Sequence, residues 1–81
     1  MPRTMSDDYG NKVTVHEHII VRNFWEYFLL EKPTADGRAL ALVMGDVTEI
    51  GDVDLNELHP YVISRTKILR DLAPAAGWRW D

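Results

Sequence analysis

The segment 24–58 constrains the fold more than any other, because two turn signals divide it into apolar runs of strand length. The first signal is Asp36-Gly37, which is typical of hairpin turns, and the second is Gly45-Asp46. Residues 24–31 and 39–44 are apolar on both faces, as in strands that are covered on two sides. The pattern therefore predicts a three-strand antiparallel meander that closes into a short helix.

Composition places the chain among small globular domains. It has 81 residues, of which 46% are aliphatic or aromatic, so a thin core can form. Cysteine is absent, which removes disulfides and thiolate ligands and is compatible with a reducing compartment. No apolar run approaches the roughly 18 residues of a membrane span, and the first residues lack the apolar core of a signal peptide. We therefore expect a cytoplasmic protein without membrane contact.

The charge balance argues against nucleic-acid binding. The net charge is −4, whereas nucleic-acid binders gain much of their affinity from Lys and Arg on phosphates. Negative charge is concentrated in one stretch between the meander and the predicted helix. Its members are Asp46, Glu49, Asp52, Asp54 and Glu57.

The two ends of the chain have sequence patterns that predict other structures than the meander. Residues 1–12 are polar and contain Pro and Gly, which is typical of a flexible N-terminal tail, so residues 13–81 are expected to form a single α+β domain. Residues 13–22 alternate apolar and polar side chains, as in an edge strand with one solvated face. At the other end, residues 77–80 are expected to be extended, with Trp78 and Trp80 on one face.

The Gly45-Asp46 turn sets the expected register of the second hairpin. A two-residue turn with a positive φ at Gly45 places Leu42 opposite Glu49. Because directly paired residues share a face, Glu49 is then expected to point inward among apolar side chains. Such a carboxylate is either a candidate acid or base, or an inward charge that discourages edge pairing.

A short helix is predicted after the meander. Asp54 fits an N-cap with Glu57 three residues later, so a helix is expected over residues 55–59. Beyond Tyr61, residues 64–72 have helical spacing, while alternation over 61–68 permits a strand. The expected fold class is α+β: a small antiparallel sheet of three to four strands with one or two short helices.

Residues 25–58 carry a family resemblance. The relevant features are an aromatic strand that ends in Glu31, Asp36-Gly37, Leu42-Val43-Met44-Gly45, Glu49-Ile50-Gly51 and Leu55-Asn56-Glu57-Leu58. In this order they resemble a family of short domains of unknown function from bacterial plasmids and phages. Since that family has no assigned activity, the resemblance implies only a bacterial phage or plasmid setting. It does not include residues 13–22 or the Trp78-Arg79-Trp80 ending.

Two groups of residues have the chemistry of metal ligands. On a strand, His16 and His18 point the same way and can reach one metal ion, although any polar residue also suits the solvated face of an edge strand. Asp52 and Asp54 can hold a hard cation, although Asp54 is also a helix cap. We assign no metal and no cofactor to the chain and keep a metal-binding protein or metal-dependent enzyme as an alternative.

Catalysis is not expected from the remaining residues. Ser64 and the threonines have no identifiable His–carboxylate partners, and cysteine is absent. The isolated Gly45 and Gly51 do not form a glycine-rich phosphate loop.

The acidic stretch and the aromatic side chains together indicate an interaction surface. Carboxylates at this density can complement a basic partner or mimic a phosphate backbone, although they also solvate an edge strand. Large exposed rings are favoured interface anchors. We expect a small non-catalytic protein-interaction module, a phage or plasmid accessory factor that binds a host protein; a homodimeric structural module is the alternative. The predicted contact residues are Glu49, Asp52, Asp54, Glu57, Trp78 and Trp80.

Overall fold

The computed structural model describes all residues, 1–81, and consists mostly of strands. The strands are β1 (Arg3–Asp7), β2 (Lys12–Val15), β3 (Glu17–Val21), β4 (Glu26–Leu29), β5 (Arg38–Met44), β6 (Thr48–Asp54), β7 (Val62–Thr66) and β8 (Trp78–Trp80). A four-residue helix, α1 (Leu55–Leu58), and a 3-10 turn (His59–Tyr61) connect β6 to β7. Neither helical element has the length and apolar character needed to cross a bilayer.

The strands form two antiparallel sheets. The small sheet has the order β2-β1-β8, and the large sheet has the order β6-β5-β4-β3-β7. The predicted meander is present as β4, β5 and β6, and it does close into a short helix. The expected single sheet of three to four strands is only approximate, because the chain builds eight strands in two layers.

Residues 13–22 form two strands in different sheets, not one edge strand. β2 lies at an edge of the small sheet, whereas β3 lies between β4 and β7 in the large sheet. At the break, the backbone N–H of His16 donates to the carbonyl of Leu29 (2.8 Å). Because the chain changes sheets here, Val15 joins the core between the sheets while Ile19 packs on the opposite face of the large sheet. The regular alternation of the sequence conceals this change of face.

Residues 1–12, expected to be a flexible tail, contain the middle strand of the small sheet. β1 pairs with both β2 and β8, and Met5 at its centre is fully buried. The hydroxyls of Thr4 and Ser6 donate to the Asp81 carboxylate, at 2.6 and 2.9 Å. One apolar residue in a short polar strand produces no periodic signal, so the sequence pattern did not reveal β1.

The apolar residues form two clusters on opposite faces of the large sheet. The inner cluster lies between the sheets and consists of Met5, Val15, Phe28, Leu42, Leu69 and Ala75. The outer cluster lies beneath α1 and consists of Ile19, Val21, Tyr27, Leu29, Ala39, Ala41 and Leu55. Both faces of β4 are therefore covered, as its sequence predicted.

The register between β5 and β6 differs by one residue from the expected one. Leu42 lies opposite Ile50, and Glu49 lies opposite Val43, because the turn contains the three residues 45–47. A shift of one residue moves every side chain of a strand to the other face. Glu49 consequently lies on the outer face and is exposed, and the inward position that a two-residue turn would have given it is not adopted.

Gly45 does not adopt a positive φ, so backbone conformation does not explain why glycine stands here. Packing does. The indole ring of Trp25 lies against the Gly45 backbone, and a Cβ at this position would stand 2.8 Å from three ring atoms. Gly45 thus lets Trp25 cover the start of the turn.

The helix start is tied to the loop between β4 and β5. Asp54 Oδ1 accepts the backbone N–H of Asn56 (2.9 Å), which confirms the predicted N-cap. The backbone N–H of Leu55 donates to the carbonyl of Gly37 (2.8 Å), and the Asn56 side chain donates to the carbonyl of Asp36 (3.0 Å). These contacts fix α1 over the outer cluster.

The helix considered for residues 64–72 does not form. Residues 62–66 are the strand β7, which pairs with β3, and the following irregular segment buries Leu69 between the sheets. Backbone pairing with an open sheet edge outweighs the weak local preference of a short helical pattern.

The Trp25–Gly45 contact leads to a stability prediction. Gly45→Ala is expected to destabilise the protein by about 1–3 kcal/mol, because the added methyl group overpacks against the indole ring. The measurement is urea denaturation followed by circular dichroism. Gly51→Ala is the matched control: its Cβ would meet nothing within 4 Å, so its stability should stay close to that of the wild type. Equal losses in the two variants would contradict the packing role of Gly45.

Candidate functional site

The outer face of the large sheet is only partly covered by α1 and the 3-10 turn. Where β3 turns into β4, an open hollow of about 360 Å³ remains between the sheet and these elements. Five of its seven lining residues are hydrophobic. The lining residues are Val21, Arg22, Asn23, Trp25, Tyr27, Leu58 and Tyr61.

A second hollow, of about 380 Å³, continues the first along the helix. The two share Tyr27, Leu58 and Tyr61, so they form one continuous depression, which we name the outer cleft. The remaining lining residues of the second hollow are Asp52, Val53, Asp54 and Glu57. The outer cleft is therefore aromatic at one end and acidic at the other.

Three aromatic residues line the outer cleft with different degrees of exposure. Tyr27 is buried on β4, and burial raises the pKa of its phenol, which keeps the ring neutral at physiological pH. Trp25 is half-buried by its contact with Gly45. Tyr61, in the 3-10 turn, remains 53% exposed. Rings held in place by their own scaffold yet still accessible are typical anchors for a binding partner.

The turn beside the cleft holds an aromatic residue in an unfavourable conformation. Phe24 has a φ of 65°, in the left-handed region that favours glycine, and its side chain is 77% exposed. The turn is closed by the Phe24 N–H on the Val21 carbonyl (2.8 Å) and by the Trp25 N–H on Asn23 Oδ1 (3.1 Å). Phe24 therefore adds strain at a position where its ring gains little burial, and such residues concentrate at functional sites.

The carboxylates at the acidic end lack positive partners within the protein. None of the ion pairs in the structure includes Asp52, Asp54 or Glu57, nor Glu49 elsewhere on β6. Asp54 is engaged only as the helix cap. Arg22, at the opposite end of the cleft, is also unpaired. The cleft thus presents uncompensated negative charge next to an apolar surface.

The tryptophans predicted to be exposed contacts are part of the inner core instead. Trp78 and Trp80 are half-buried against the inner cluster, on the side of the large sheet that faces away from α1. The Trp80 ring meets Phe28 edge-on at 6.3 Å, Nε1 donates to the Leu72 carbonyl (2.8 Å), and Arg3 stacks on the ring at 4.5 Å. The structure therefore separates these rings from the acidic residues with which they were grouped.

The two histidines considered as metal ligands lie in different environments. His18 is buried, with Nε2 donating to Glu26 Oε1 (2.8 Å) and its ring 4.7 Å from that of Phe28. His16 is half-exposed at the break between β2 and β3. No group of three or more His, Cys, Asp or Glu side chains is arranged to hold a metal ion. The alternative sites at His16/His18 and Asp52/Asp54 thus receive no geometric support.

Sequence reasoning missed several residues of the outer cleft. Arg22, Asn23 and Phe24 form a hairpin turn without a glycine, so the usual turn signal was absent. Leu58 and Tyr61 reach the cleft only because the chain crosses the outer face between β6 and β7. The one available signal was Asn23, a residue tolerant of turns, between two apolar runs.

No known protein family, curated protein or solved structure matches the chain. The resemblance of residues 25–58 to a plasmid and phage family therefore stays a prediction.

The strain at Phe24 leads to a second prediction. Phe24→Gly is expected to raise the free energy of unfolding by about 0.5–1 kcal/mol, because relief of the left-handed strain exceeds the entropy cost of glycine. Urea denaturation measures the change. Phe24→Ala is the control: it removes the ring but keeps the Cβ strain, so its stability should change little. A loss of stability in Phe24→Gly would show that the ring supports the fold.

Proposed function

We propose that the protein is a small non-catalytic interaction module whose outer cleft binds a cationic and partly apolar segment of another protein. The observation that carries the proposal is the continuity of an accessible aromatic hollow with unpaired carboxylates. Each half of this surface favours a different part of the same segment.

The apolar half of the cleft supplies the anchoring contact. A hollow of about 360 Å³ lies at the lower end of the range typical of binding pockets, so it suits one or two bulky side chains. Trp25 and Tyr61 offer accessible aromatic surface at its sides. Burial of partner side chains against these rings provides most of the expected affinity.

The acidic half selects the charge of the partner. Asp52, Asp54 and Glu57 line the second hollow, whose lining holds no Lys or Arg, and none of the three forms an ion pair, so they are free to meet a partner's basic side chains. The net charge of −4 acts in the same direction over a longer range. Complementary charge accelerates encounter and excludes acidic segments more than it tightens binding.

The chemistry of the cleft favours binding over catalysis. The raised pKa of Tyr27 makes its phenol a poor nucleophile, and Asp54 already accepts a hydrogen bond as the helix cap. The lining contains no serine, threonine or cysteine beside a histidine. A setting in which a phage or plasmid accessory factor binds a host protein in the bacterial cytoplasm is consistent with this role.

The proposed surface revises the one expected from sequence. It keeps the acidic residues Glu49, Asp52, Asp54 and Glu57, of which Glu49 lies at the margin. It replaces Trp78 and Trp80 by aromatic residues of the cleft and its adjoining turn, namely Trp25, Tyr27, Tyr61 and Phe24.

Selection from a random peptide display library tests the proposal. We expect the enriched peptides to combine Lys or Arg with aromatic or aliphatic residues, and to bind more weakly as salt increases. Tyr61→Ala should weaken binding of a selected synthetic peptide at least about tenfold, as expected for loss of an interface anchor. Glu57→Lys should weaken it most at low salt. Isothermal titration calorimetry measures both effects.

The controls are exposed residues of the same types outside the cleft. Tyr9→Ala removes a ring that is 92% exposed, and Asp71→Lys reverses a charge in another loop, so both should bind the peptide as the wild type does. Enrichment of acidic peptides, or equal binding by the cleft variants and the controls, would refute the proposed role of the cleft.

A further inference from the structure

Unpaired positive charge gathers around one hollow, away from the outer cleft. This hollow has a volume of about 300 Å³ and lies where β2 passes into β3, with His16, Lys32 and Lys67 in its lining. Lys32 follows β4 and Lys67 follows β7, so the three side chains come from distant parts of the chain. Both lysines are exposed, and no ion pair of the structure includes either of them.

A second hollow, of about 390 Å³, adjoins the first, since Met1 lines both. Its charged residues are Arg3 and Arg70. Arg70 lies 3.6 Å from the Asp71 carboxylate, but the two side chains are 81% and 89% exposed, so the pair contributes little and Arg70 can exchange its partner. We name the two hollows together the basic depression.

The one acidic residue in the lining of the basic depression is neutralised within the protein. Glu17 is only 4% exposed, and its carboxylate accepts two hydrogen bonds from Arg65, from Nε to Oε1 (2.8 Å) and from Nη2 to Oε2 (3.3 Å). A buried carboxylate with a bidentate arginine has its charge balanced where it lies. The cations of the lining therefore meet no free carboxylate inside the depression.

Arg3 is held in place by the fold and still has free donors. Its guanidinium stacks on the Trp80 ring at 4.5 Å, and Nη1 donates to the carbonyls of Leu69 (3.2 Å) and Arg70 (3.3 Å). Nε and Nη2 donate to no protein atom, and both are accessible, because the only buried side-chain nitrogen or oxygen without a partner is His18 Nδ1. A fixed guanidinium with free N–H groups favours phosphate, whose oxygens match its planar fork.

The distribution of charge limits the size of the ligand. The whole chain has a net charge of −4, so a long polyanion such as a nucleic acid is repelled by much of the surface. Screening restricts interactions between exposed charges to about 8 Å at physiological salt, so a small anion in the depression responds mainly to the cations around it. Because the cations line two adjoining hollows, a ligand with several linked phosphate groups can use both, whereas a single phosphate uses one.

We propose that the basic depression binds a small molecule that carries two or more linked phosphate groups. Arg3 is the positioned anchor and binds one phosphate group through Nε and Nη2. Lys32 and Lys67 neutralise the phosphate charge in the adjoining hollow, and Arg70 exchanges Asp71 for the ligand.

Isothermal titration calorimetry with tripolyphosphate in magnesium-free buffer at low salt tests the site. We expect a dissociation constant on the order of 0.1–1 mM, since a few charge-assisted hydrogen bonds form on an open surface. Orthophosphate should bind about tenfold more weakly or less, because it reaches only one group of cations. ATP presents the same groups in another molecule. An affinity equal to that of tripolyphosphate assigns recognition to the phosphates alone, and a higher one adds a contact to the nucleoside; both results support the site.

Substitutions in the lining test which cations take part. Lys32→Gln and Lys67→Gln should each weaken tripolyphosphate binding about tenfold through loss of a charge-assisted contact. Arg3→Lys keeps the charge but loses the planar fork, and it should weaken binding by a similar factor. Arg38→Gln is the matched control: this exposed arginine is in no ion pair and lines neither hollow, so its removal should leave binding unchanged.

Three results would overturn the proposal. They are the absence of binding heat and of amide chemical-shift changes at residues 67–70 up to about 10 mM tripolyphosphate, equal affinities for orthophosphate and tripolyphosphate, or an equal loss in Arg38→Gln. Circular dichroism of each variant establishes that it is folded. Peptide binding to the outer cleft uses other residues, so its failure leaves the phosphate test intact, and the reverse also holds.

Discussion

The architecture depends on a large sheet that is apolar on both faces, in a chain too short to cover both completely. The alternation of Tyr27, Phe28 and Leu29 on β4 sends large side chains to both sides, and all three are buried. The small sheet and the segment before β8 cover one face, with Phe28 between His18 and Trp80. Only α1 and one 3-10 turn remain for the other face, so the outer cleft follows from the shortage of covering chain.

The meander and the helix start could be predicted because local chemistry determines them. Apolar runs bounded by Asp36-Gly37 and Gly45-Asp46 indicate strands whatever surrounds them, and Asp54 caps the helix through a contact two residues away. The acidic residues of the cleft were found for the same reason: charges on an edge strand and a first helical turn are visible as a run in the sequence.

The rest of the fold depends on contacts between distant residues, which local patterns do not encode. Met5 is buried because β1, near the start of the chain, pairs with β2 on one side and with β8, near the end of the chain, on the other. Trp80 is sheltered by Arg3 and Phe28, although its sequence neighbourhood resembles a loose terminus. The exposure of Glu49 depends on a single additional residue in the turn between β5 and β6. A one-residue error in register was enough to place that carboxylate on the wrong face.

The unusual features of the molecule are distributed around its incompletely covered face. The strained Phe24 and the unpaired carboxylates beside α1 both lie at the margin of that face. A small domain has little stability in reserve, so each of these features is costly for the isolated chain. The shortage of covering chain thus leaves backbone strain and unpaired charge together on one side of the fold.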